Sequence, residues 1–98
     1  MTHHIILWKL RADVADKEAA KARVKEKLEA LNGRVPGLVS LKVQIGGLES
    51  SSADMMLDSL FEDPASLAAY QIDPRHLEAA GYVRSVIESR LCLDFEDA

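Results

Sequence analysis

In Leu38-Val39-Ser40-Leu41-Lys42-Val43-Gln44-Ile45, the apolar Val39, Leu41, Val43 and Ile45 alternate with the polar Ser40, Lys42 and Gln44. Successive side chains of a strand leave opposite faces, so this period of two places Val39, Leu41, Val43 and Ile45 on one covered face. Ser40, Lys42 and Gln44 are then expected to be more exposed, or to line a contact between subunits. Just upstream, Pro36-Gly37 turns the chain, and Asn32-Gly33 before it tolerates the left-handed conformation that ends a helix. That helix is expected to begin near Val14 with Asp13 as its N-cap, because the stretch to Leu31 has neither Gly nor Pro. At about 100° per residue, Ala20, Val24, Leu28 and Leu31 fall within roughly 80°, one buried stripe.

Moving outward to the start, His3 to Leu10 reads as a short buried strand, with His4, Ile6, Trp8 and Leu10 on one face and His3 on the other. On the other side, Gly46-Gly47 through Ser50-Ser51-Ser52 is a polar connection. Asp54 to Phe61 then forms a third strand with Met55, Leu57, Ser59 and Phe61 on one side. Two helix starts follow in nearly the same letters, Asp63-Pro64-Ala65-Ser66-Leu67 and Asp73-Pro74-Arg75-His76-Leu77. Each places an N-cap Asp before a Pro at the first helical position. The second of these helices is expected to run to about Glu88, and Leu91 to Phe95 to form the last strand, with Glu96-Asp97-Ala98 fraying.

The order is β-α-β-β-α-β with a short extra helix before the second main one. It predicts an α+β, ferredoxin-like domain: an antiparallel four-stranded sheet with helices on one face. The other face, carrying Ile5, Leu7 and Val39 or Leu41, would be a large apolar patch that soluble monomers seldom leave in water. A homodimer pairing sheet to sheet, a dimeric α/β barrel, removes it. The 98 residues are one domain's worth, residues 1–98, too few for two cores.

Sixteen acidic against twelve basic residues give a net charge of −4, a field that repels phosphate backbones and argues against nucleic acid as a partner. The strand Val39 to Ile45 also lacks the stacking aromatics of an RNA-binding sheet. No apolar run approaches the length of a membrane span. Met1-Thr2-His3-His4 lacks a basic start and a cleavage site, so it does not read as a signal peptide. Cys92 is the single cysteine, which precludes an internal disulfide and suits a reducing compartment, with the cytoplasm as the expected location. It has no Cys or His nearby in sequence for a zinc site or a redox pair and is expected to be a buried structural thiol. Met55 and Met56 read as core filler, and Gly46-Gly47 lacks the spacing of a phosphate loop. No metal and no cofactor is expected.

Five pieces in order carry a resemblance: His4-Ile5-Ile6-Leu7-Trp8-Lys9-Leu10, Val35-Pro36-Gly37-Leu38-Val39-Ser40-Leu41, Phe61-Glu62-Asp63, Tyr70-Gln71-Ile72-Asp73-Pro74-Arg75-His76 and Leu93-Asp94-Phe95. Together they resemble the stress-responsive A/B barrel (Dabb) family over essentially the whole chain. The resemblance implies a homodimer with a pocket between sheet and helices in each subunit. In one branch, the plant polyketide cyclase olivetolic acid cyclase, a Tyr and a His promote aldol-type ring closure without a cofactor. The matching positions here are Tyr70 and His76, and the strand histidine of that pocket matches His4. A second pocket histidine of that branch falls at Met55, so its substrate does not carry over.

His76, Ala80, Val83 and Ile87 lie within about 60° on their helix, so the imidazole shares the buried stripe. In the first turn the helix dipole favours the neutral imidazole, which can act as a general base or remain a hydrogen-bonded core residue. Tyr70 can donate a hydrogen bond to a carbonyl or enolate oxygen, or merely pack beside Leu67. Asp94, between Leu93 and Phe95, can orient an imidazole, with His76 or His4 as its partner, or face solvent. His76, Tyr70 and Asp94 are thus the candidate catalytic residues, and His4, Ile6, Trp8, Leu57 and Ala80 the expected ligand-binding wall. Three functions compete. The first is a pocket protein with cofactor-free cyclase or lyase chemistry on a small aromatic or polyketide-like ligand. The others are a non-enzymatic stress or binding dimer and a cofactor-independent monooxygenase of the same architecture.

Overall fold

The computed structural model describes residues 1–97. In chain order the elements are β1 (Thr2–Leu10), α1 (Lys17–Glu29), β2 (Leu38–Gln44), β3 (Met55–Phe61), α2 (Pro64–Gln71), α3 (Pro74–Val86) and β4 (Ile87–Glu96). The strands form one antiparallel sheet in the order β2-β3-β1-β4. This is the ferredoxin-like β-α-β-β-α-β arrangement, with α2 as the extra helix and all helices on one face.

The core lies between sheet and helices. His4, Ile6, Trp8 and Leu10 of β1 and Met55, Leu57, Ser59 and Phe61 of β3 all point into it, as the alternation in sequence requires. Val24 and Leu28 of α1, Leu67 and Tyr70 of α2 and Ala79 and Val83 of α3 close it from above. Gly37 has φ 81°, and a Cβ there would lie 2.4 Å from that of Ser66, so this turn requires glycine twice over.

Several boundaries differ from the sequence reading. Asp16, not Asp13, caps α1 by accepting from the Ala19 N–H at 3.0 Å. Asp13 is engaged instead by Arg11, whose guanidinium donates twice to its carboxylate. In β2, Val39 is 46% exposed rather than covered. A bulge between Leu38 and Ser40 interrupts the pairing with β3 and rotates Val39 off the core face, while Leu41 and Val43 stay buried. The last helix stops at Val86, and β4 begins at Ile87, several residues before Leu91. Glu96 and Asp97 do not fray: Asp97 donates its N–H to the Met1 carbonyl and accepts from His3 Nε2 at 2.6 Å. Ala98 lies outside the described residues.

No helix among the described residues is long and apolar enough to cross a membrane. The face opposite the helices carries Leu7, Val39, Leu91, Leu93 and Phe95, all exposed in the single chain.

Candidate functional site

α2 and α3 meet at a sharp break, and that break builds the site. Asp73 ends the α2 connection and caps α3, with Pro74 at the first helical position. Its carboxylate accepts from the Arg75 side chain and backbone N–H, and those bonds hold it down to about 2. The corner sets Tyr70, in the last turn of α2, against His76, in the first turn of α3, with ring centroids 4.1 Å apart. Both project toward β1, where the His4 ring lies 6.4 Å from that of Tyr70.

Between these rings lies a cavity of about 100 Å³. Ile6, Trp8 and Leu57 floor it from the sheet, and Leu28, Ala80 and Val83 wall it from the helices. All five expected wall residues, His4, Ile6, Trp8, Leu57 and Ala80, border this space together with Tyr70 and His76. Two buried polar atoms here have no hydrogen-bond partner among the described residues, the Tyr70 hydroxyl and His76 Nδ1. Buried polar atoms are nearly always bonded, and a group left bare in a cavity wall is what a ligand would satisfy.

Asp94 does not border the cavity. It stands across the β1–β4 ladder from His4, its direct pairing partner, and accepts from His4 Nδ1 at 2.5 Å. Of the two imidazoles open to Asp94 in the sequence reading, the structure brings it to His4. Burial alone would raise the Asp94 carboxyl, but hydrogen bonds from His4 and Cys92 and the His4 and Arg90 charges hold it below its ordinary value. An ionised carboxylate only accepts, so Nδ1 of His4 carries the hydrogen of this bond, and Nε2 lies on the edge away from Asp94.

Burial lowers the His76 pKa; the His4 and Arg84 charges reinforce the effect, while the backbone at Gln71 and the Asp73 carboxylate oppose it. The imidazole is therefore neutral at pH 7. Burial likewise pushes the Tyr70 phenol well above its ordinary value, so it remains a donor.

Cys92 is exposed, not the buried thiol expected, because β4 is an edge strand with no helix over it. Its thiol lies 3.4 Å from Asp94 Oδ1 and 3.7 Å from His4 Nδ1, and burial together with the Asp94 carboxylate raises its pKa. The three donor atoms of His4, Cys92 and Asp94 lie within 4.8 Å of one another, close enough to hold a metal ion. Linear spacing could not show this, since the histidine is 88 residues away and enters only through strand pairing. Arg84 and Arg90 also border the cavity and were missed. The one signal for Arg84 was its position on α3 beside the His76 stripe.

A ferredoxin-like sheet with an apolar cavity between sheet and helices defines an A/B barrel domain. The family model for the stress responsive A/B barrel domain (Dabb) matches residues 2–97, and this chain belongs to that family. A dimeric protein of unknown function with a ferredoxin-like fold from Bacteroides fragilis is similar over 98% of this chain and 95% of its own, at 28% identity and a TM-score of 0.90. A Dabb family protein from Mesorhizobium loti shares 14% identity, covering 99% of this chain and 96% of its own, with a TM-score of 0.74. Hydroxynitrile lyase from Passiflora edulis shares 15%, covering 96% and 90%, with a TM-score of 0.79. No curated protein sequence matches the chain.

Proposed function

We propose that this Dabb protein is a homodimer that binds a small enolisable aryl or polyketide-like carbonyl compound in each subunit and moves protons on it without a cofactor. The observation that carries the reading is the bare Tyr70 hydroxyl beside bare His76 Nδ1 in an apolar cavity bordered by a third polar ring, His4. An aldol-type step needs an oxyanion donor, a base at the α-carbon and an acid for the new alkoxide. Tyr70 donates its O–H to the carbonyl oxygen as negative charge develops there. Neutral His76 takes the α-proton, and the imidazolium so formed returns it to the product oxygen, while His4, held in orientation by Asp94, borders the ligand as a third polar group. The dimer reading rests on the exposed apolar sheet face and on the dimeric relative from Bacteroides fragilis.

The test is deuterium incorporation into 4-phenyl-2-butanone in D2O, followed by proton NMR. The wild-type protein should accelerate exchange, and His76→Ala should lose about 100-fold or more of that acceleration. Tyr70→Phe should lose a comparable factor while the fold is retained. Saturable binding of the ketone without faster exchange would replace this reading with that of a binding dimer. Oxygen consumption with the same compound would replace it with that of a monooxygenase.

A further inference from the structure

The cavity wall holds no acidic side chain among the described residues, and apart from Tyr70 its ionisable members are all basic: His4, His76, Arg84 and Arg90. This is unexpected in a chain whose net charge is −4. Arg84 lies on α3 two turns beyond His76, about 12 Å along the helix axis. Long helical side chains lean back toward the helix N-terminus, so its guanidinium is carried toward the cavity and toward His76, whose titration it influences. Arg90 approaches from the sheet side, directly across the ladder from Trp8 of the cavity floor. Neither guanidinium forms an ion pair among the described residues. Asp94, four residues along β4, already accepts from His4 and Cys92.

We infer that Arg84 and Arg90 form a carboxylate-binding subsite at the rim of the cavity, so the ligand is a small aryl keto acid rather than a neutral ketone. This inference rests on the pocket reading above and specifies its substrate class. The apolar floor takes the aryl or alkyl body, the Tyr70–His76 end takes the carbonyl, and the two arginines take the acid group. Planar guanidinium forks suit a carboxylate in a way that a lone ammonium does not.

The experiment compares 3-benzoylpropionate with its neutral analogue 3-benzoylpropionamide by isothermal titration at low salt. The acid should bind about tenfold or more tightly than the amide, and the preference should shrink as salt is raised. Arg84→Gln with Arg90→Gln should abolish the preference, bringing the affinity for the acid down to that for the amide. Arg23→Gln, a surface arginine stacked over Tyr82 away from the cavity, should preserve it. Equal or tighter binding of the amide, or a preference that survives the double Arg variant, overturns the carboxylate subsite and leaves the Tyr70–His76 reading intact. Failure of both compounds to bind overturns the pocket reading and the subsite together. Since both arginines are exposed, unchanged melting of the double variant shows that any loss is a loss of recognition.

Discussion

Along β2, the outer edge of the sheet is sealed by side chains from α1 and the turn after it. Lys25 donates to the Val43 carbonyl at 2.7 Å, Glu29 accepts from the Val43 N–H at 3.0 Å, and Asn32 both accepts from and donates to the Leu41 backbone. Along β4, the opposite edge, no side chain of the described residues binds the outer backbone in this way. Its apolar side chains stand open, with Leu91 73% and Leu93 64% exposed. An edge strand left bare is a pairing hazard, and chains cover it by charge, by a helix or by a partner. This chain commits helix side chains to β2 and leaves β4 and its apolar face uncovered in the single chain, the surface on which the proposed dimer rests. The bare edge also borders the candidate site, since Asp94 and Arg90 both belong to β4.

The sharpest way to break this contrast is one charge on each edge strand. Leu41→Asp on β2 buries an unpaired carboxylate in the monomer core at a cost of several kcal/mol, and circular dichroism should show loss of fold. Leu93→Asp on β4 should leave the fold intact and abolish assembly. Light scattering after gel filtration should then read one chain of 10.8 kDa where the wild type should give about twice that mass. If Leu93→Asp unfolds the chain or leaves the dimer intact, β4 does not supply the subunit contact.

Asn32→Ala probes the sealed edge by itself. It strips two backbone bonds from β2 at Leu41 and should cost about 1–3 kcal/mol, read as a lower midpoint in urea with an unchanged slope. A variant as stable as wild type would mean that water seals that edge equally well.

Titration separates the two sides of the site. His76 is held below its ordinary value of 6.5, so the unfolded chain binds the proton first. Its contribution is therefore intact above that pH and is lost as pH falls toward the lowered value. Asp94, held below 3.8, contributes stability above that pH that is lost as pH falls through its lowered value. His76→Gln should flatten the melting temperature profile between about pH 7 and 5, and Asp94→Asn should flatten it only at more acid pH. The smallest effect concerns Cys92. Asp94→Asn should speed alkylation of this thiol by iodoacetamide at neutral pH, because removing the carboxylate removes one cause of its raised pKa.

Much of the site was legible before any coordinates. A period of two on β1 and β3 put His4, Ile6, Trp8 and Leu57 on one side, and a period of 3.6 on α3 put His76 beside Ala80. Those rules are local and hold wherever the element forms. Val39 escaped the same rule because a bulge depends on how β2 registers against β3, which the alternation in β2 does not contain. Asp13 and Asp16 are both cap residues by composition; in the structure Arg11 engages Asp13 and Asp16 accepts from the first turn of α1.

Element order, the core-facing side of β1 and β3 and the Asp-Pro break between Tyr70 and His76 are thus properties of the sequence alone, because steric and hydrophobic periodicity act over a few residues. The choice of His4 over His76 as partner of Asp94, the exposure of Cys92 beside them and the convergence of Arg84 with Arg90 belong to the tertiary structure. Each joins residues from elements that meet only when β4 pairs with β1 and α3 folds back over the sheet. A pairing across 90 residues of chain, as between His4 and Asp94, leaves no periodic trace in the sequence.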